Sequence, residues 1–136
     1  MCNNSLIYMI TPTTTAVTSG GVLPLSTIAR RRGKSISSET DSVLLSAPGY
    51  YKINACVTFS APAPGVVTIR LAKDGVAVPG ITGSDTITVA TTELRTISIS
   101  GIVRVSCCGD SSSLSLINSG IAITATNISF DVEYLD

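Results

Sequence analysis

The residues able to do chemistry are few, and their spacing is restrictive. The one dense group of charge is Arg30, Arg31, Arg32 and Lys34, with Gly33 between the last two. Such a cationic run suits an acidic protein surface or a phosphate. Gly33-Lys34-Ser35 matches the end of a phosphate-cradling loop. Position 28 is Ile where that loop needs its first glycine, so nucleotide binding is not expected. The chain contains no His, which removes Ser-His-Asp and Cys-His catalysis, His-ligated zinc and a histidine pH switch. The nine acidic residues are scattered, mostly beside turns, and no pair is spaced for general acid–base work. No enzyme activity and no cofactor are expected.

The remaining chemical candidates are weaker. Cys2, Cys56, Cys107 and Cys108 fit neither a metal knuckle nor a redox motif. They read as reduced thiols that pack as small apolar groups. Asp110-Ser111-Ser112-Ser113 and Thr91-Thr92-Glu93 read as polar turns. One carboxylate among serines is too few for a calcium site. Asn3-Asn4-Ser5 and Asn127-Ile128-Ser129 match the glycosylation sequon, which matters only on a secretory route.

The elements that must position these residues follow from composition. The chain has 136 residues and a net charge of zero, with 44% hydrophobic, 13% charged and 4% aromatic residues. Ser and Thr fill the gap at about a quarter of the chain. Low charge with abundant Val, Ile and Thr reads as β-structure, and no stretch carries helical periodicity. Without excess positive charge no nucleic-acid partner is expected, and no apolar run is long enough to span a membrane as a helix. The first residues lack the charged start and apolar length of a signal peptide.

Strand signals run from end to end. Leu6–Ile10, Thr13–Thr18 and a Pro24-broken Val22–Ile28 come first, followed by Arg30–Lys34 as a basic loop and Ser42–Ser46 as a short strand. Tyr50–Ser60 alternates strictly, with Tyr51, Ile53, Ala55, Val57 and Phe59 on one face. Val66–Lys73 alternates again and meets Asp74-Gly75, a tight hairpin signal. Val76–Val78 continues the hairpin until Pro79-Gly80 ends it, and Thr86–Ala90 is the next strand. Leu94–Ser106 follows, with Gly101 as an expected bend or bulge. Leu114–Ile117 is short. In Ile121–Leu135 the apolar set moves from odd positions (Ile121, Ile123, Ala125) to even ones (Ile128, Phe130, Val132, Tyr134). A strand cannot change faces without an inserted residue, which places a β-bulge near Thr126-Asn127. About nine to ten strands with Gly and Pro turns predict an all-β, two-sheet antiparallel sandwich.

Residues 47–81, and above all Gly49, Tyr50, Tyr51 and Ile53, then Asp74, Gly75, Val78, Pro79 and Gly80, carry a resemblance. The stretch resembles the central region of the tumour-necrosis-factor and complement-globular-head superfamily. The likeness is nearest to bacterial members such as the heads of spore-surface collagen-like glycoproteins. It runs from about Val22 onward. It implies a jelly-roll β-sandwich that assembles as a homotrimer, and it makes Tyr50 and Tyr51 packing residues. The collagen stalk of those bacterial proteins has no counterpart in this sequence.

The resulting expectation is a non-enzymatic virion protein assembled in a host cytoplasm. It would be a trimeric capsid decoration or head fibre of a bacteriophage, bound to the major capsid protein or another virion protein. The alternative is a trimeric receptor- or carbohydrate-binding tip on a phage tail or a bacterial surface. Residues 1–21 are expected to form an extended docking arm and 22–136 the jelly roll. Small or apolar groups on the outer face, such as Cys56, Ile102, Ala122 and Ala125, would serve the trimer. Partner contacts are assigned to Leu6, Ile7, Tyr8, Met9 and Ile10 in the arm and to Arg30, Arg31, Arg32 and Lys34 in the basic loop.

Overall fold

Period-two alternation along the chain becomes two antiparallel sheets packed face to face. The computed structural model describes residues 5–89, 91–106 and 111–135. Cys2, Cys107, Cys108 and Asp110 lie outside the described residues. The strands are β1 (Leu6–Thr11), β2 (Thr15–Val17), β3 (Thr27–Arg32), β4 (Ile36–Glu39), β5 (Ser42–Leu45), β6 (Gly49–Ala61), β7 (Gly65–Lys73), β8 (Val76–Ile87), β9 (Thr91–Val105), β10 (Ser112–Asn118) and β11 (Ile123–Leu135). The first sheet has the order β3-β1-β11-β6-β9, with β2 also paired to β11. The second has the order β4-β5-β10-β7-β8. The fold is an all-β jelly roll.

The core is the sum of the inward rows. Ile53, Val57 and Phe59 of β6, Ile128, Phe130 and Val132 of β11, and Ile69 and Leu71 of β7 are all buried. Each large side chain so removed from water contributes about 1.5–3 kcal/mol. The expected change of phase in β11 is present. Its pairing with β6 shifts register between Ala125 and Asn127. The extra residue, Thr126, turns its hydroxyl onto the Thr58 carbonyl at 3.1 Å.

Several expectations are corrected. Leu6–Ile10 is no free arm: β1 pairs with β11 on one side and β3 on the other. Ile7 and Met9 face the core and are buried, so the sandwich begins at β1 rather than at residue 22. Arg30–Arg32 are not a loop but the end of β3, an edge strand whose outer positions are solvated on both faces and so show no alternation. Short β4 carries mostly polar residues and gave no strand signal. Pro79-Gly80 does not end β8. It sits in an irregularity where Ala72 faces Ala77 and Arg70 faces Thr82. Gly101 makes no bulge and holds register with Ile53. A Cβ there would come within 2.5 Å of the Ile81 side chain, so glycine lets Ile81 of the second sheet close the sandwich edge. Ala125 is buried rather than outward.

Two polar devices hold the ends. Asn118 is fully buried. Its Nδ2 donates to the carbonyls of Ile121 at 2.8 Å and Thr18 at 3.3 Å, and its Oδ1 accepts from the Gly120 N–H at 3.1 Å. One side chain thus ties the segment after β2 to the turn between β10 and β11. At the other end, Tyr51 is buried and donates to the Ala47 carbonyl at 2.6 Å. The Tyr134 ring meets it edge-on at 5.1 Å and donates to the Pro48 carbonyl at 3.1 Å. Gly49, at φ 138°, lies under Tyr134, where a Cβ would fall 2.6 Å from the phenol oxygen.

Replacing Asn118 by Leu keeps the volume but strands three backbone groups. Urea denaturation should show a loss of about 3 kcal/mol. Burial raises the Tyr51 phenol above its ordinary value of 10.0. The folded chain therefore holds the proton longer than the unfolded one, so stability should fall as pH rises through and above that value. Tyr51→Phe should cost about 1 kcal/mol at neutral pH and remove this component of the alkaline loss, read by denaturation at several pH values.

Candidate functional site

The outer face of the first sheet gathers the candidate residues that the sequence separates. Strands lie about 4.8 Å apart, so residues in register form rows across the sheet. One row runs Arg32, Leu6, Glu133, Lys52, Ile102. The next runs Arg30, Tyr8, Asp131, Asn54, Ser100. The third runs Thr27, Ile10, Ser129, Cys56, Ser98. Beyond it Thr58 faces Thr96 and Asn127, with the two threonine hydroxyls 3.2 Å apart.

The face therefore has two halves. The half toward Cys56 and Thr58 is neutral and built from small polar side chains. Cys56 is a free thiol that accepts from the Ser98 hydroxyl at 3.6 Å. The half toward Lys52 is charged. It carries a shallow concavity of ≈ 180 Å³ lined by Leu6, Tyr8, Lys52, Asn54, Asp131 and Glu133. Ile102, 59% exposed, stands at its margin.

Of the residues assigned to partner contacts, Leu6, Tyr8 and Ile10 lie on this outer face, and Ile7 and Met9 do not. Arg30 and Arg32 join it from β3, opposite Tyr8 and Leu6. Arg31 is opposite Ile7 and points to the other side, and Lys34 follows in the exposed turn. The structure thus brings the two sets together as neighbouring strands. Sequence reading missed Asp131, Glu133, Lys52 and Asn54, which complete the face. Their signal was present as the polar positions between the buried residues of β6 and β11.

The two tyrosines of the Gly49 motif part company. Tyr51 packs inside, whereas Tyr50 is 53% exposed and its ring lies 6.0 Å from the Arg104 guanidinium. Glu93 is exposed in β9, and Ser112 and Ser113 belong to β10 rather than to a loop. Arg95 and Asp85 form an ion pair at 3.1 Å, joining β9 to β8 where the two sheets meet. Among the described residues no three His, Cys, Asp or Glu are grouped to hold a metal ion. No helix of the described residues is long and apolar enough to cross a membrane.

No protein-family model matches the sequence, and no curated protein matches it. Solved structures do. Murine APRIL at pH 5.0 superposes with a TM-score of 0.75 at 10% identity, over 98% of this chain and 100% of that one. The globular domain of zebrafish complement 1qA gives 0.72 at 8% identity, over 97% and 98%. The Eiger TNF of S. frugiperda gives 0.77 at 9% identity, over 98% and 92%. Nearly the whole of each chain is matched, and this chain shares the jelly-roll fold of the tumour necrosis factor ligands and the complement globular head.

Proposed function

We propose that this chain is a non-enzymatic structural protein that assembles as a homotrimer through the outer face of its first sheet, as a decoration or head-fibre protein of a phage virion. The observation that carries the assembly is the neutral half of that face. Ser98, Cys56, Ser129, Thr58 and Thr96 form a broad surface with no charge to desolvate, bordered by Ile10. Small side chains let backbones approach closely, and the absence of charge removes the largest cost of burying a surface. The net charge of zero and mean hydropathy of +0.45 fit a protomer that covers part of its surface with copies of itself. Neighbours of the same fold support the stoichiometry by analogy.

A second reading, a trimeric recognition tip, is favoured by one feature. Tyr50, propped on Arg104, offers an exposed aromatic platform of the kind that stacks on a sugar ring. The genes beside this one separate the readings. A major capsid gene supports decoration, and a tail-fibre gene supports the tip.

Light scattering at micromolar concentration should give three times the 14.0 kDa protomer mass. Ser98→Arg, an exposed change that leaves the core untouched, should give the protomer mass and expose Cys56 to rapid alkylation. A wild-type monomer would end the assembly reading. A trimer indifferent to Ser98→Arg would move the contact to another surface.

A further inference from the structure

We infer that the free edge of β3 is a docking strand for an acidic, extended segment of a partner protein. Three observations point there. First, β3 is the last strand of its sheet. Among the described residues it pairs only with β1, which leaves one side of its backbone without a ladder. Second, this edge carries Arg30, Arg31 and Arg32, all exposed, with Lys34 in the turn beyond. The Arg95–Asp85 ion pair lies at β9, the opposite edge of the sheet. Third, the Ala29 carbonyl accepts a hydrogen bond at 2.7 Å from Nη1 of Arg30 itself. Ala29 has no register partner in β1, because the pairing shifts between Tyr8 and Met9, and an incoming strand's N–H that reached its carbonyl would free the guanidinium for a carboxylate.

The geometry specifies the occupant. Arg30 and Arg32 are two residues apart on one face, a spacing of about 6.6 Å along a strand. An added strand with acidic residues at alternate positions sets a carboxylate against each of them. Arg31 lies on the opposite face together with Ile28, which is 42% exposed. The register therefore also favours an apolar residue on that second face, which a flexible polyanion does not provide. The same charges reject the commonest wrong partner. Edge-to-edge pairing of two β3 strands would set arginine against arginine, and like charges directly opposite are destabilising. Backbone pairing would supply affinity and the arginines would supply selection. This inference does not depend on the trimer.

The probe is a fluorescent peptide with Glu at alternate positions between Val and Thr residues, titrated into the full chain by anisotropy. A second peptide of the same charge has Pro at the central alternate positions, which removes its N–H donors. Sulfated dextran serves as a plain polyanion. The first peptide should bind, the Pro peptide should bind roughly tenfold or more weakly, and hydrogen exchange in residues 27–32 should slow only with the first. The double variant Arg30→Ser, Arg32→Ser should weaken binding by a similar factor, whereas Arg70→Ser on the second sheet should not change it. Equal binding of both peptides, or of sulfated dextran with the same loss in the double variant, would reduce the edge to a charge patch and overturn strand addition. No binding at millimolar peptide would make the arginines a guard against edge pairing and overturn the docking role.

Discussion

The structure rests on the long three-strand centre of the first sheet, where β6 is paired along nearly its whole length with β9 on one side and β11 on the other. A chain with only six Tyr and Phe and no Trp cannot anchor its core on a few large rings. It must instead bury many medium-sized side chains in continuous rows, and a row stays continuous only while each strand keeps its phase. The bulge at Thr126 meets that requirement. It adds one residue to β11, returns the following apolar residues to the inner face, and gives its hydroxyl to the carbonyl beside the irregularity. The second sheet closes over these rows through alternating β10, and its edge meets the first sheet at Ile81 and Gly101.

The strands legible in the sequence are those with one wet face and one dry face. β6 and β7 satisfy this condition, as does β11 beyond its bulge, and there the reading of the inner residues agrees with burial. Three kinds of segment escape it. β1 is apolar at every position from Leu6 to Ile10, and without alternation it reads equally well as an arm or a central strand. β3 is an edge whose three arginines contact solvent whichever way they point. β8 contains Pro79-Gly80, which reads as a stop, although an edge strand tolerates a missing donor on its outer side. The Gly49-Tyr50-Tyr51 motif was legible as a pattern but not as physics. The structure explains it by the ring of Tyr134 over Gly49 and the Tyr51 hydrogen bond to Ala47.

The candidate face was half legible for a related reason. Residues close in sequence, such as Arg30 to Arg32, stand out by composition. Residues brought together by pairing, such as Tyr8, Asp131 and Asn54, share no local signal. Each is an ordinary polar or aromatic position on its own strand. Only the register between β1, β11 and β6 makes them neighbours, and register depends on every bulge along the way.

The pairing of β1 with β11 also constrains how the protein is made. Leu6 stands opposite Glu133, so β1 finds its central neighbour only in β11, with the rest of both sheets made between them. Until then Ile7 and Met9 have only β3 beside them, and the first sheet lacks the strand that joins β1 and β3 to β6. Folding of this sheet must therefore wait for the synthesis of β11, the slow route expected when the decisive contacts link distant segments.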